Sequence, residues 1–233
     1  LGVDLPLEAV RRGFEDRGPW VTKFRIGNDD YGGDYDALSD VRIKQFRKAF
    51  RRVRTVLELG SMEGGHSNAL ARLRGVRVTA VEGRQANIER ARFVTNLLGT
   101  PNIEFVQADL EAKSVASFGT FDAVFCSGLL YHLPQPWRLL DELRDVAPNL
   151  FLWTHYAEKE RATEVMHGLA GHWYEENPEA NPLDGLSPKS YWLTLPALVG
   201  RLKENGFHRV KIINDDRRHA IGPTVTLVAR AGR

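Results

Sequence analysis

The chain has 233 residues, 42% of them hydrophobic, with 32 Lys and Arg against 30 Asp and Glu, for a formal net charge of +2. That is apolar material for one substantial core, and too little net charge for a broad field that grips a nucleic-acid backbone. The single cysteine, Cys126, excludes an internal disulfide, and no apolar run reaches the roughly 18 residues that cross a bilayer as a helix.

These priors predict one cytoplasmic domain over 1–233, without a secretory signal pattern at its start. The first residue is Leu1 rather than a methionine, which leaves open whether native residues precede it. Residues 1–37 read as a cap or lid segment ahead of a core over 38–231. Within that segment Asn28 to Asp36, NDDYGGDYD, reads as a loop, and its Tyr31 and Tyr35 are candidates to close over a cation with their ring faces.

Between Arg42 and Arg54 seven basic residues alternate with Ile43, Phe46, Phe50 and Val53 at helical spacing. The apolar stripe reads as core and the basic face as solvated, the rival reading being an anchor for phosphates or an anionic substrate. Runs of strand length follow at 53–59, 76–82, 102–107, 121–126 and 149–153, separated by helical patterns at 65–73, 84–98 and 135–146. Alternation of this kind predicts a parallel sheet with right-handed crossovers. Residues 171–190, with several prolines and the cluster His172 to Glu176, read as a substrate-side loop. Trp192 reads as a core residue. After a helix over 195–205 stopped by Gly206, strands at 207–213 and 223–229 are joined without a helix. That predicts an antiparallel hairpin at the sheet edge.

In an open parallel sheet, ligands sit beyond the carboxyl ends of the strands. Those ends are Glu58 to Gly60, Glu82, Asp109, Ser127 with Gly128, and Thr154 to Tyr156. The segment VLELGSMEGGHS reads as strand, tight turn and helix start, where glycine lets the backbone approach a ligand and free amides suit a nucleoside. Three acids at successive strand ends suit a ligand with a cationic amino acid part, a ribose diol and an adenine amine.

The segments VLELGSMEGGHS, VTAVEGR, FVQADL and FDAVFCSGLLYHLPQPWRLLDEL together resemble the cofactor motifs of class I S-adenosylmethionine-dependent methyltransferases, in order, across about 38 to 231. The resemblance implies an α/β fold: a Rossmann-like, seven-stranded, mostly parallel sheet with helices on both faces and an antiparallel last strand. It implies S-adenosyl-L-methionine as cofactor, with Glu58, Gly60, Ser61 and the turn through Gly64 at the methionine part. It puts Glu82 with Gly83 at the ribose, Asp109 with Leu110 at the adenine, and Ser127 in the same set. The chain departs from the family's E-x-G-x-G-x-G pattern at Met62, where a glycine is usual, so the turn is expected to differ locally, with Gly64 and Gly65 supplying the freedom. That departure also weakens the rival nicotinamide-binding reading.

Methyl transfer needs alignment and, for a hydroxyl acceptor, a base. His132, in an H-x-x-x-P-like setting after the fourth strand, and His155, after the fifth, are the candidate bases. His172 is a third, read more readily as a surface residue. No metal is expected, because Cys126-Ser127 and Thr154-His155 stand where metal-dependent relatives carry hard oxygen ligands. The resulting expectation is methylation of an oxygen, less readily a nitrogen, on a small-molecule acceptor. The alternatives are a tRNA-modifying methyl- or carboxymethyltransferase, which Tyr131-His132 and the basic helix resemble, and a non-catalytic cofactor-binding subunit. A nucleic-acid partner is thus the less favoured reading, and a membrane is not expected.

Overall fold

The computed structural model describes residues 6–232 and divides into two compact units, residues up to 108 and residues from 109 onward. The first five residues of the 1–37 segment and Arg233 lie outside the described residues.

The first unit opens with helix α1 (Leu7–Glu15), which buries Val10, Gly13 and Phe14. Strands β1 (Lys23–Ile26) and β2 (Asp29–Gly32) then pair as an antiparallel hairpin with Phe24 opposite Tyr31. Residues 28–36 were expected as a loop, and half of that stretch is strand. Its DDYG sequence has no apolar alternation to announce it, and pairing with β1 makes the strand. Val10, Phe14, Phe24, Val94 and Leu97 form a buried cluster, with Tyr31 packed against it.

Helix α2 (Val41–Ala49) starts at Asp40, whose carboxylate accepts the Arg42 amide, and buries Ile43 and Phe46. Phe50 and Val53 are also buried, so the apolar stripe is core. Strands β3 (Thr55–Leu59), β4 (Arg77–Glu82) and β5 (Ile103–Gln107) run parallel in that order, joined by α3 (Gly65–Ala71) and α4 (Gln85–Leu98). The α4 helix stops where Gly99 takes φ 63°, a left-handed cap that glycine adopts without strain.

In the second unit β6 (Ala123–Ser127) pairs in parallel with β7 (Asn149–His155) across helix α5 (Pro136–Val146). A separate antiparallel sheet follows, built from β8 (Glu164–Met166), β9 (Leu169–Glu175) and β10 (Lys189–Leu193), with β9 in the middle. Residues 171–190 therefore contain most of β9 and the start of β10 rather than one substrate-side loop. The prolines sit in the connection between the strands, outside the paired backbone. Helix α6 (Leu195–Glu204) is capped by Thr194, and β11 (Arg209–Asp216) and β12 (Thr224–Arg230) close the unit as an antiparallel hairpin with β12 against β7. The strands β3–β7, β11 and β12 are the seven of a mostly parallel, Rossmann-like sheet whose last strand is antiparallel to its neighbours, as expected.

Candidate functional site

The turn after β3 coils tightly: Gly60, Met62 and Gly64 have φ of 76°, 49° and 78°. The amides of Gly60 and Ser61 both donate to Val81 O at 3.0 Å, and the Gly64 amide donates to Ser61 O at 2.9 Å. Met62, where the family pattern has glycine, itself enters the left-handed region, at a cost of about 1–2 kcal/mol. Its amide donates to Glu82 Oε2 at 2.8 Å, which helps to hold that conformation. Gly65 contributes space instead: a Cβ there would lie 2.5 Å from Ala37 Cβ.

Glu82, at the end of β4, is buried and also accepts from the Arg84 amide at 2.9 Å and Asn87 Nδ2 at 3.3 Å. Its carboxylate is a pre-positioned acceptor at a strand end, with half-buried Gly83 beside it. Ser61 Oγ is buried with no hydrogen-bond partner among the described residues, an omission worth about 1–3 kcal/mol that a bound polar ligand would remove. The glycine turn, the orphaned hydroxyl and the fixed carboxylate fit the amino acid and ribose parts of a nucleoside cofactor.

Glu58 differs from expectation in charge. It is buried in β3, and burial, opposed by Ser67 Oγ donating to it and reinforced by the charge of Glu82, pushes its carboxyl up to about 8. At neutral pH it is the neutral acid, so Glu58 brings no negative charge to the end of β3.

Glu63, next in the turn, is engaged with the chain ahead of β1. Its buried carboxylate accepts the Val21 amide at 3.1 Å and the Thr22 amide at 2.6 Å, pinning the segment that leads into β1. Tyr35, Asp40, Arg42 and His66 form a second network, with His66 Nε2 3.1 Å from both the Tyr35 hydroxyl and Asp40 Oδ2. Burial opposes ionisation of Asp40, but His66, Arg42 and Tyr35 outweigh it and hold the carboxyl far below the usual range. Tyr35 is engaged in that network and Tyr31 stacks on Phe14 at 4.9 Å, so both tyrosines have structural partners within the unit.

In the second unit Asp109 is exposed, with Oδ1 accepting the Glu111 amide at 2.8 Å, and Leu110 is half-buried. Ser127 is buried at the end of β6, followed by Gly128 at φ 92°, whose amide donates to Trp153 O. The two candidate bases come together: the Tyr131 ring lies 4.1 Å from the His132 ring and 4.7 Å from the His155 ring.

Their environments diverge. His132 Nδ1 donates to Glu176 Oε1 at 3.0 Å and Oε2 at 3.1 Å, so in the neutral ring the lone pair is on Nε2. Burial raises the Glu176 carboxyl, but the His132 contact, Ser190 Oγ at 2.7 Å and the Gly185 amide at 3.0 Å outweigh it and hold the acid below its usual range. His155 Nδ1 donates to Gly222 O at 3.1 Å, its ring stacks on Trp192 at 4.8 Å, and burial with the neighbouring His219 pushes it down to about 4. His172 is a correction: it is 8% exposed rather than a surface residue, because its position in β9 turns it toward Trp192.

Glu176, the partner of candidate base His132, was not singled out from the sequence. Its only signal is position, one residue beyond β9 and within an aromatic cluster that had been read as loop. Gly185 is its companion, since a Cβ there would lie 2.8 Å from His132 O.

A family model described as a methyltransferase domain matches residues 57–149. The N-terminal domain of EvdMO1, solved with SAH bound, is 31% identical with a TM-score of 0.89 over 98% of both chains. Among curated proteins, the ubiquinone biosynthesis O-methyltransferase of Paracidovorax citrulli is 32% identical over 83 residues, 36% of this chain and 34% of that one. The tRNA U34 carboxymethyltransferase of Desulforapulum autotrophicum is 30% identical over 120 residues, 50% of this chain and 37% of that one. The matched stretches span about a third of the length of these curated relatives. With a glycine turn, a strand-end carboxylate and a near-full-length structural relative in agreement, the chain belongs to the class I S-adenosylmethionine-dependent methyltransferases.

Proposed function

We propose that the chain methylates a hydroxyl oxygen of a small molecule, with His132 as the base and Glu176 as the residue that positions it. The observation that carries this reading is the paired hydrogen bond from His132 Nδ1 to both Glu176 oxygens, which fixes the tautomer with a proton-accepting Nε2. His155 is a poor base, since burial and the neighbouring His219 push its conjugate acid down to about 4.

When bound, S-adenosylmethionine supplies a methyl group on a sulfonium, which makes an excellent leaving group. Ser61 and the Gly60–Gly64 turn would hold its amino acid part, Glu82 with Gly83 its ribose, and Asp109 with Leu110 its adenine, with Ser127 in the same set. Glu58 acts as a neutral hydrogen-bonding group there. His132 takes the acceptor's proton as the oxygen becomes nucleophilic, and Glu176 stabilises the charge that His132 then carries.

The O-methyltransferase among the curated relatives supports the oxygen assignment. The match to a tRNA carboxymethyltransferase over half of the chain favours a second reading, modification of a tRNA base, with the exposed basic face of α2 as its anchor.

Calorimetry tests the cofactor half: Glu82→Ala should weaken S-adenosylmethionine binding by about 1–3 kcal/mol, the worth of charge-assisted hydrogen bonds to hydroxyls. Unchanged affinity would remove the ribose assignment. A panel of small hydroxylated, amine and tRNA acceptors, read by release of the demethylated cofactor, tests the acceptor half. Turnover confined to tRNA would replace the first reading with the second.

A further inference from the structure

Three side chains of the second unit carry buried nitrogens that lack a hydrogen-bond partner among the described residues: Nδ1 and Nε2 of His172, Nε1 of Trp192 and Nδ1 of His219. His172 is 8% exposed and Trp192 2% exposed. They belong to one ring cluster. His172 lies 5.7 Å from Trp192, Trp192 stacks on His155 at 4.8 Å, and His155 lies 4.9 Å from His219. Tyr131, which touches His132, is 6.0 Å from Trp192.

Native interiors rarely leave so many polar atoms unpaired in one place, and such a concentration is expected where a ligand supplies the partners. The atoms also say what kind of ligand. A neutral histidine offers one N–H donor and one acceptor nitrogen, and tryptophan offers a donor alone. Burial and the charge of Arg161 keep His172 on the neutral side. A carboxylate or phosphate only accepts, and would leave the acceptor nitrogen of His172 unpaired. A hydroxyl both donates and accepts, so several hydroxyls on one frame match the set. Half-buried Tyr131, Trp153 and Tyr174 add ring faces suited to the C–H face of a saturated ring.

We propose that this cluster is the acceptor cradle and that it takes a neutral polyhydroxylated ring, a sugar, whose hydroxyls pair with His172, Trp192 and His219. The assignment rests on the methyltransferase reading above and names the acceptor class of that same site. Tyr174 stacks on Trp192 at 4.5 Å and 14°, placing a further ring beside the indole. In the reaction one sugar oxygen bonds the methyl carbon, the carbon–sulfur bond breaks with its electron pair left on sulfur, and the hydroxyl proton passes to His132 Nε2.

The test uses the full chain loaded with S-adenosylmethionine and a panel of neutral methyl glycosides, mono- and oligosaccharide, beside catechol and simple phenols. Binding is read by saturation-transfer NMR and products by the mass of one added methylene. Glycosides should bind and gain the methyl group. His172→Leu and Trp192→Phe should weaken glycoside binding by about tenfold or more, as expected when hydrogen bonds to a bound ligand are lost. Both should keep cofactor affinity, and an unchanged or raised Tm shows that the fold is intact. Cofactor binding with no glycoside bound, or methylated phenols with His172→Leu unaffected, overturns the sugar assignment alone. Failure of the wild type to bind the cofactor overturns the methyltransferase reading and the assignment with it.

Discussion

At residue scale, two carboxylates that look alike in sequence end in opposite states. Glu176 is buried among donors, with His132, Ser190 and the Gly185 amide all pointing hydrogens at it, so it is held ionised. Glu58 is buried with one hydroxyl donor, and burial wins. Glu176→Gln keeps the shape but removes the charge and presents N–H groups where His132 needs an acceptor. We expect kcat to fall by about 10- to 100-fold, below the full 10²–10⁴ of a lost base, with cofactor affinity unchanged. Glu176→Asp should recover part of the rate. Equal losses in both variants, accompanied by a lower Tm, would mean a purely structural contact.

Glu58 carries a pH dependence of stability. Its folded carboxyl titrates near 8, above the ordinary value of 4.5, so the folded protein binds the extra proton. Below the ordinary value the acid is neutral in both states and costs nothing. Between there and about 8 the unfolded chain ionises while the folded one does not, and stability falls as pH rises. By pH 7 the cost approaches about 3 kcal/mol as an upper bound. Glu58→Gln should therefore raise Tm more at pH 7.5 than at pH 5. An equal gain at both pH values would place the ionisable proton elsewhere.

At the scale of elements, Glu63 shows how a long-range contact organises a segment. Its carboxylate accepts the amides of Val21 and Thr22, some forty residues away, where β1 begins. Glu63→Ala leaves those donors unpaired and should cost about 1–3 kcal/mol in urea unfolding. A change below about 0.5 kcal/mol would show that water satisfies them.

The same contrast between local and long-range information decides what the sequence disclosed. The parallel strands and α4 were legible because apolar periodicity is local, and their bounds agree with expectation to within about two residues. The strand ends were legible because they follow from the same periodicity. The β1–β2 hairpin and the sheet around β9 were not, because DDYG carries little strand propensity and prolines beside HWYEE suggested irregular chain. Pairing partners made these strands. Glu176 stayed hidden for the same reason: its meaning lies in reaching His132 across 44 residues.

At the scale of the whole molecule, charge separates the two acceptor readings. The formal net charge is +2, and several cations are already engaged: Arg42 with Asp40, Arg201 with Asp141, and Arg54 with the Arg74 carbonyl. On and after α2, Lys44, Arg47, Lys48, Arg51 and Arg52 are exposed, a local basic face on a nearly neutral chain. If that face holds a tRNA backbone through several phosphates, affinity should drop by orders of magnitude between about 50 and 200 mM salt, through counterion release. If the acceptor is a small neutral molecule, salt has no charge on the acceptor to screen. We expect kcat/KM for such an acceptor to change by less than about twofold over that range. The paired change Arg47→Glu with Lys48→Glu should then leave turnover within about twofold of wild type, because it touches only solvated charges. Steep salt dependence, or loss of turnover in that variant with the fold intact, would move the acceptor from the ring cluster's small molecule to a polyanion on α2.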